Sequence, residues 1–460
     1  MPVQAAGPGA LTLPQQVADI AARIERLPHT KTQISLRAIV GAALFFDAFD
    51  GWAMSVIAPV LVRLWHLHPS DVGLLLSIGA FGQLIGSLSF GWVAERLGRR
   101  TACTISVAIF AVVSILCAFA PNFQVLLILR VIQGLGLGGE IPIGAAYISE
   151  FAAAKGRGFF VLIYQNLFAF GILLCAIAGR FLIPAIGWKG MFFVGGIPAI
   201  IVFFLRFYVP ESPRWLTTRG RYDEANRIVT KMEQEAMMAG KELPPPEIKP
   251  AVAEQKSRFA ELFSSFYRRR TFVLGVIQFV TIFGNFGIVQ WMPTLYVTLF
   301  KMSLERALTL SLITSCFNFV SSVAPTLFCD RIGRKAMIVW PMLFAAVVSF
   351  ALFLTGAKNV NVVVAGVSLA AFCFGNLATI VYVYTPENYP TRMRALGTGF
   401  NAFILRIGSI CGPYAAGLVI PAFGFTSFIL IVALLLLIGF VLVLTMAIET
   451  KGVALEQLAP

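Results

Sequence analysis

Charge is scarce in this chain: 13% of its 460 residues are Asp, Glu, Lys or Arg, about half the share found in soluble proteins. Long polar stretches are scarce too, residues 209–270 being the exception. Both shortages exclude an ordinary water-facing fold. Cysteine is sparse and unpatterned. The seven (103, 117, 175, 316, 329, 373, 411) lie in or beside apolar runs with no Cys-x-x-Cys, so they read as small packing residues rather than disulfides or metal ligands. There is no Walker loop, no nucleophile–base constellation and no cluster of metal ligands, so an enzyme, a metal and a cofactor are not expected. A cleavable signal is missing as well, because the first 36 residues lack a sustained apolar core. Val17, Ile20, Ile24 and Leu27 are spaced for one short amphipathic turn lying on a membrane surface.

What the chain has in abundance is apolar sequence, 58% of residues. It falls into twelve runs: Ile39–Leu61, Val72–Val93, Thr101–Ala120, Phe123–Ser149, Gly158–Phe181, Met191–Tyr208, Thr271–Thr298, Leu308–Cys329, Ala336–Thr355, Val362–Thr385, Leu396–Ile420 and Phe425–Ile448. Most meet the roughly 20 residues needed to cross a bilayer as a helix. The chain is therefore an all-α membrane protein. Its expected segments are an N-terminal stretch 1–36, a six-helix bundle 37–208, a linker 209–270, a second six-helix bundle 271–448 and a tail 449–460. Lys and Arg set the orientation. Four short loops after spans 2, 4, 8 and 10 hold ten of them, whereas six loops on the other side hold six. Both termini and the linker are expected in the cytoplasm, and the net charge of +14 reflects this sidedness rather than a nucleic-acid partner.

Inside the first span sits Phe46-Asp-Ala-Phe-Asp50, with Asp47 and Asp50 three residues apart on one helical face. Asp50 is thirteen residues from Arg37 and from Arg63, too deep to snorkel to either surface. Intramembrane acids are costly and face a protein interior or a water-filled cavity.

The two halves echo one another. Gly91-Trp-Val-Ala-Glu95-Arg96-Leu-Gly-Arg-Arg100 recurs as Thr326-Leu-Phe-Cys-Asp330-Arg331-Ile-Gly-Arg334-Lys335. Tyr147-Ile-Ser-Glu150 with Arg157 recurs as Tyr384-Thr-Pro-Glu387 with Arg394, and Phe46-Asp-Ala-Phe49 as Phe283-Gly-Asn-Phe286. Glu211-Ser-Pro-Arg214 has a weaker echo at Glu449. Internal duplication of this kind is typical of membrane carriers. The echo breaks informatively. At an offset of 237, Asp47 maps onto Gly284, Asp50 onto Gly287, and Arg406 onto Ala169. Acids in one half and a lone mid-membrane cation in the other mark a site between the halves.

These motifs resemble the major facilitator superfamily from about Arg37 to Glu456. Glu95 stands where the family's loop motif has Asp, and Thr326 where the second copy has Gly. Arg130-x-x-Gln-Gly-x-Gly-x-Gly-Gly139 resembles its fourth-span motif. Glu211-Ser-Pro-Arg-Trp-Leu216 resembles the branch of sugar porters, organic-ion transporters and aromatic-acid/proton symporters. Arg23-Ile-Glu-Arg-Leu-Pro28 followed by the paired acids looks most like bacterial carriers of aromatic carboxylates, especially nicotinate. The resemblance implies twelve helices in two bundles in a bacterial inner membrane.

Within that frame, Gly134, Gly136 and Gly139 spell a dinucleotide fingerprint but sit inside an apolar span, where close helix packing explains them better. His66, His68 and Asp71 form a solvated outer loop rather than a metal site. Arg130 and Glu140 read as an internal charge network or as coupling groups. Glu95, Arg96, Arg100, Glu150, Arg157, Asp330, Arg331, Arg334, Glu387 and Arg394 read as topology signals and as latches between halves. Arg406 is the expected carboxylate anchor, with Trp52, Trp291 and Tyr382 able to stack a ring and Tyr164, Asn166, Gln278, Asn285, Gln290 and Asn318 as polar contacts. Asp47 or Asp50 is the expected proton carrier. The expectation is a monomeric importer of a small aromatic monocarboxylate, coupled to protons by alternating access. An organic-cation carrier and a transporter-like sensor are the alternatives.

Overall fold

The computed structural model describes residues 13–28, 30–151, 157–247, 258–390 and 392–452, with the side chains of 157–164 and some other helix positions outside the described set. The regular secondary structure among the described residues is helical. The first half comprises α1 (Leu13–Glu25), α2 (Lys31–Trp65), α3 (Pro69–Leu97), α4 (Arg99–Cys117), α5 (Phe123–Phe151), α6 (Arg157–Ile186), α7 (Lys189–Gly195) and α8 (Pro198–Tyr208). The linker carries α9 (Pro213–Thr218) and α10 (Tyr222–Met238). The second half comprises α11 (Arg268–Ile288), α12 (Met292–Thr298), α13 (Leu304–Ile332), α14 (Ala336–Leu354), α15 (Val360–Glu387), α16 (Arg394–Phe423) and α17 (Phe425–Met446).

Eleven of these segments are long and apolar enough to cross a membrane singly, α11 and α12 counting as one. The twelfth crossing is α7 plus α8. It breaks at Gly195-Gly-Ile-Pro198, where proline removes a backbone donor and its ring crowds the preceding turn. Pro293 has the same effect on the seventh crossing, which passes through a 3-10 turn at Val289–Trp291.

On the linker face the duplicated motifs build duplicated joints. Glu211 accepts from the backbone N–H groups of Arg99 and Arg100 at 2.8 and 3.1 Å, capping α4. Glu449 accepts from Arg334 and Lys335 at 3.0 and 3.1 Å, at the start of α14. A carboxylate at a helix N-terminus satisfies orphan donors and complements the helix dipole. The glycine before each joint, Gly98 at φ +96° and Gly333 at φ +105°, adopts a backbone that side chains disfavour. Tyr147 donates to the Pro210 carbonyl and Tyr384 to that of Ile448. The weak echo at Glu449 is therefore a structural repeat.

The opposite face is shut. Ser55 donates to the Gln290 carbonyl at 2.6 Å and Ser77 to that of Ile410 at 2.8 Å, both across the halves. Arg180 on α6 pairs with Glu305 and donates to Thr309 on α13. The space left between Trp52, Ser55, Met292 and Ser311 is about 10 Å³, no more than a single water requires.

The N-terminal helix departs from expectation. α1 turns its apolar stripe into the protein. Ile20 and Ile24 are buried against Trp215, Leu216, Ala225 and Val229, and Arg23 and Arg26 converge on Glu233. An apolar stripe needs a partner, and the linker helices supply one that composition alone does not reveal. Burial pushes the Glu233 carboxyl up, but hydrogen bonds from Arg23 and Arg26 outweigh it and hold the group below its ordinary range.

Two outcomes follow. Above the ordinary Glu value of about 4.3 the Glu233 contribution to α1 docking is whole, and it is lost as pH falls through the lower folded value. Hydrogen-exchange protection in α1, taken relative to the intrinsic rate at each pH, should therefore be flat between neutral and mildly acidic pH and fall below it; a loss of protection already near neutrality would contradict this. At the shut face, a Cβ on Gly73 would meet the Pro413 carbonyl at 2.9 Å and Gly417 Cα at 3.1 Å. Gly73→Trp should hold that face open, raising impermeant-reagent labelling of a cysteine at Ser311 in a cysteine-free background. Unchanged labelling would refute the contact.

Candidate functional site

Midway between the two faces, polar groups of both halves converge. Asp50 is fully buried and engaged within the first half. Its Oδ2 lies 3.5 Å from Arg130 Nη1, and Ser114 donates to its Oδ1 at 3.0 Å. Ser114 also contacts the Phe192 carbonyl on α7, and Arg130 donates to Gln133 at 2.6 Å. The pair is thus locked by α2, α4, α5 and α7 together.

Asp47, one turn nearer the linker face, is differently placed. It is 2% exposed, and its Oδ2, like that of Asp50, has no hydrogen-bond partner among the described residues. It feels the attraction of Arg406 from α16 and the repulsion of Asp50. Glu140 on α5 is fully buried within electrostatic reach of Asp47, and neither of its oxygens has a hydrogen-bond partner among the described residues. The guanidinium of Arg406 crosses to the first half, where it donates to Gln83 of α3. Tyr382 on α15 lies close to Arg406 and Asp47 and hydrogen-bonds Gln165 of α6, again across the halves.

Gln83 was not foreseen. The test that picks out Arg406 does not find it, because at the offset of 235 set by Gly91 and Thr326 it maps onto Asn318, another amide.

The remaining predicted contacts divide. Trp52 packs edge-on against Phe286 with ring centroids 5.1 Å apart, closing the seam between the halves. Asn166 donates to Thr326 at 2.9 Å, also across the seam. Asn285 and Gln290 are buried with side-chain oxygens lacking partners among the described residues, and Gln278 is buried near them on α11. Trp291 donates to the Pro413 carbonyl at 3.0 Å and Asn318 to that of Ala371 at 3.1 Å. Both therefore tie helices inside the second half, as polar groups in an apolar bundle commonly do. The Tyr164 side chain lies outside the described residues.

Among the predicted latches, Glu150 pairs with Arg99 at 3.0 Å and Glu387 with Arg334 at 3.2 Å, each within its own half. Glu95 and Asp330 are exposed beside Arg99 and Arg334, at 4.0 and 2.8 Å. Arg96 covers the Trp92 ring at 4.0 Å. The Lys451 ammonium donates to the Arg331 carbonyl at 2.6 Å, and Arg100 lends its backbone N–H to Glu211. Arg394 opens α16 and engages neighbouring groups, and the Arg157 side chain is outside the described residues. The glycines of α5 serve packing: the backbone of Gly134 lies against Gly82, so a Cβ on either would strike the facing helix. No group of three or more metal-ligating side chains occurs among the described residues.

Breaking a buried ion pair from one side strands the other charge at a cost of about 3–5 kcal/mol. Arg130→Gln should therefore lower thermal stability of the purified protein sharply, and adding Asp50→Asn should restore most of it. Additive losses in the double variant would contradict the pairing.

Comparison with known proteins places this geometry in context. The Sugar (and other) transporter family model matches residues 27–460. A niacin transporter of Acinetobacter baylyi is 33% identical over 96% of this chain and 99% of its own. A protein of Bacillus subtilis described as a putative niacin/nicotinamide transporter is 28% identical over 92% and 98%. Among solved structures, the xylose transporter XylE of Escherichia coli in a partially occluded inward-open conformation superimposes with a TM-score of 0.73 at 20% identity, covering 92% of this chain and all of that one. A structure of the same proton:xylose symporter bound to a bromodeoxyglucose gives 0.70.

Proposed function

Because the chain belongs to the Sugar (and other) transporter family, with the major facilitator fold and no enzymatic role, we propose that it imports a small aromatic monocarboxylate, nicotinate first, together with protons. The observation that carries this reading is Arg406. It is a guanidinium from the second half, reaching across the seam to Gln83 beside the unpaired oxygen of Asp47. A guanidinium presents a planar fork that matches a carboxylate bidentately, and a neutral amide such as Gln83 is an easily displaced stand-in for that ligand. The niacin transporter relative supports the choice of nicotinate. Tyr382 and Gln165 offer an aromatic face and an amide beside the anchor.

The halves would rock about this site, so that it faces each side in turn. With the far face sealed as described, the next movement opens the linker face, which we assign to the cytoplasm of a bacterial inner membrane along with both termini. The latch pairs of Glu150 and Glu387 would exchange partners across the halves in the opposite state. The acids Asp47 and Glu140 favour a second reading, an organic-cation passenger, in which Arg406 merely neutralises Asp47.

Uptake of labelled nicotinate, benzoate, choline-like cations and hexoses into proteoliposomes, with and without an imposed pH gradient, separates the two. Nicotinate should accumulate with the gradient. Arg406→Ala should cut its uptake at least about tenfold, the scale of one lost charge-assisted hydrogen bond. Undiminished nicotinate uptake by that variant, or accumulation of the cations alone, would move the assignment to a cation carrier.

A further inference from the structure

The centre holds three buried carboxyls, Asp47, Asp50 and Glu140, against the buried Arg130 and the half-buried Arg406. Other titratable groups face them from the surrounding helices: Cys103 and Cys117 on α4, Cys175 on α6 and Tyr382 on α15. Thiols and phenols at their ordinary values are uncharged at neutral pH. Asp50 and Arg130 neutralise one another at 3.5 Å. What remains is Asp47 facing Arg406 and Glu140 facing Asp47, both acids buried where a surplus charge is poorly screened by water.

That surplus is one negative charge, which one bound proton removes. A monocarboxylate arriving at Arg406 adds another negative charge and calls for another proton. Resting on the carboxylate reading above, we propose that Asp47 and Glu140 form a two-acid proton reservoir. It holds one proton when the site is empty and two when it is loaded, so that each carboxylate crosses with one proton and no net charge. Neither oxygen of Glu140 has a hydrogen bond among the described residues, and Asp47 has a free Oδ2. Each acid therefore has an oxygen on which to carry a proton of its own. Asp50, held by Arg130 and Ser114 within the first half, stands outside the reservoir.

The charge count makes a distinctive prediction for variants. Removing either acid leaves the empty site neutral without a proton, yet the loaded site still needs one, taken by the surviving acid. Only removal of both uncouples. Calorimetric titration of the full-length carrier with nicotinate and benzoate, in buffers of different ionisation enthalpy, counts the protons. The wild type, Asp47→Asn and Glu140→Gln should each take up about one proton per ligand, with affinity falling about tenfold per pH unit as pH rises. Asp47→Asn/Glu140→Gln should take up none and bind independently of pH. A single variant that has already lost pH dependence, or a double variant that keeps it, would overturn the reservoir.

Infrared titration of the empty protein covers the case in which the double variant does not fold. The wild type should show one protonated buried carboxyl at neutral pH, and each single variant none. Retention of that band in both single variants would overturn the proposal. The infrared measurement uses no ligand, so it separates failure of the acid pair from failure of the carboxylate reading, which an absence of heat with every carboxylate would signal.

Discussion

A charge removed from water must be balanced close by, because bulk solvent no longer screens it and the uncompensated cost is several kcal/mol. In this molecule that requirement orders the centre. Arg130 and Ser114 settle Asp50 within one bundle. Asp47 has no such partner at home and faces Arg406 from the other bundle, while Glu140 faces Asp47. The two halves are thus joined electrically at the depth where a passenger would sit. Changing the charge there, by a proton or an anion, changes what holds them together.

The rest of the fold keeps those groups at that depth while allowing the halves to move. Glycine contacts between α3 and α5 weld the first half into a rigid body. Across the halves the shut face is held by serine hydroxyls on carbonyls, the Gly73–Gly417 approach and the Arg180–Glu305 pair, with Trp52 against Phe286 in the seam. Such contacts seal a face without making separation costly. On the linker face, Glu211 and Glu449 cap the helices that follow the repeated loops, so each half carries its own rigid hinge collar.

Much of this was legible in the chain itself. Twelve apolar runs, a duplicated pattern and the points where duplication fails led to Asp47, Asp50 and Arg406, because intramembrane charge is rare enough that its position carries information. The same reasoning could not separate Asp47 from Asp50. They share a helix face and each has an Oδ2 without a hydrogen bond among the described residues; only the placement of Arg130 and Ser114 shows that Asp50 is engaged within its own half. Neutral amides and aromatics were harder to read. Trp291 and Asn318 have the composition of binding groups, yet they bond backbone carbonyls inside their own half, a use that spacing does not distinguish from ligand contact. The docking of α1 on the linker escaped for a related reason: an amphipathic stripe states that a partner exists, not which one.

The most direct test of the account is a density map of the carrier in lipid with nicotinate bound. It should show the ligand carboxylate at hydrogen-bond distance from the Arg406 guanidinium, about 2.8 Å, with Gln83 displaced from that position and Asp50 still on Arg130. Ligand density away from Arg406, with the Arg406–Gln83 contact intact, would contradict it.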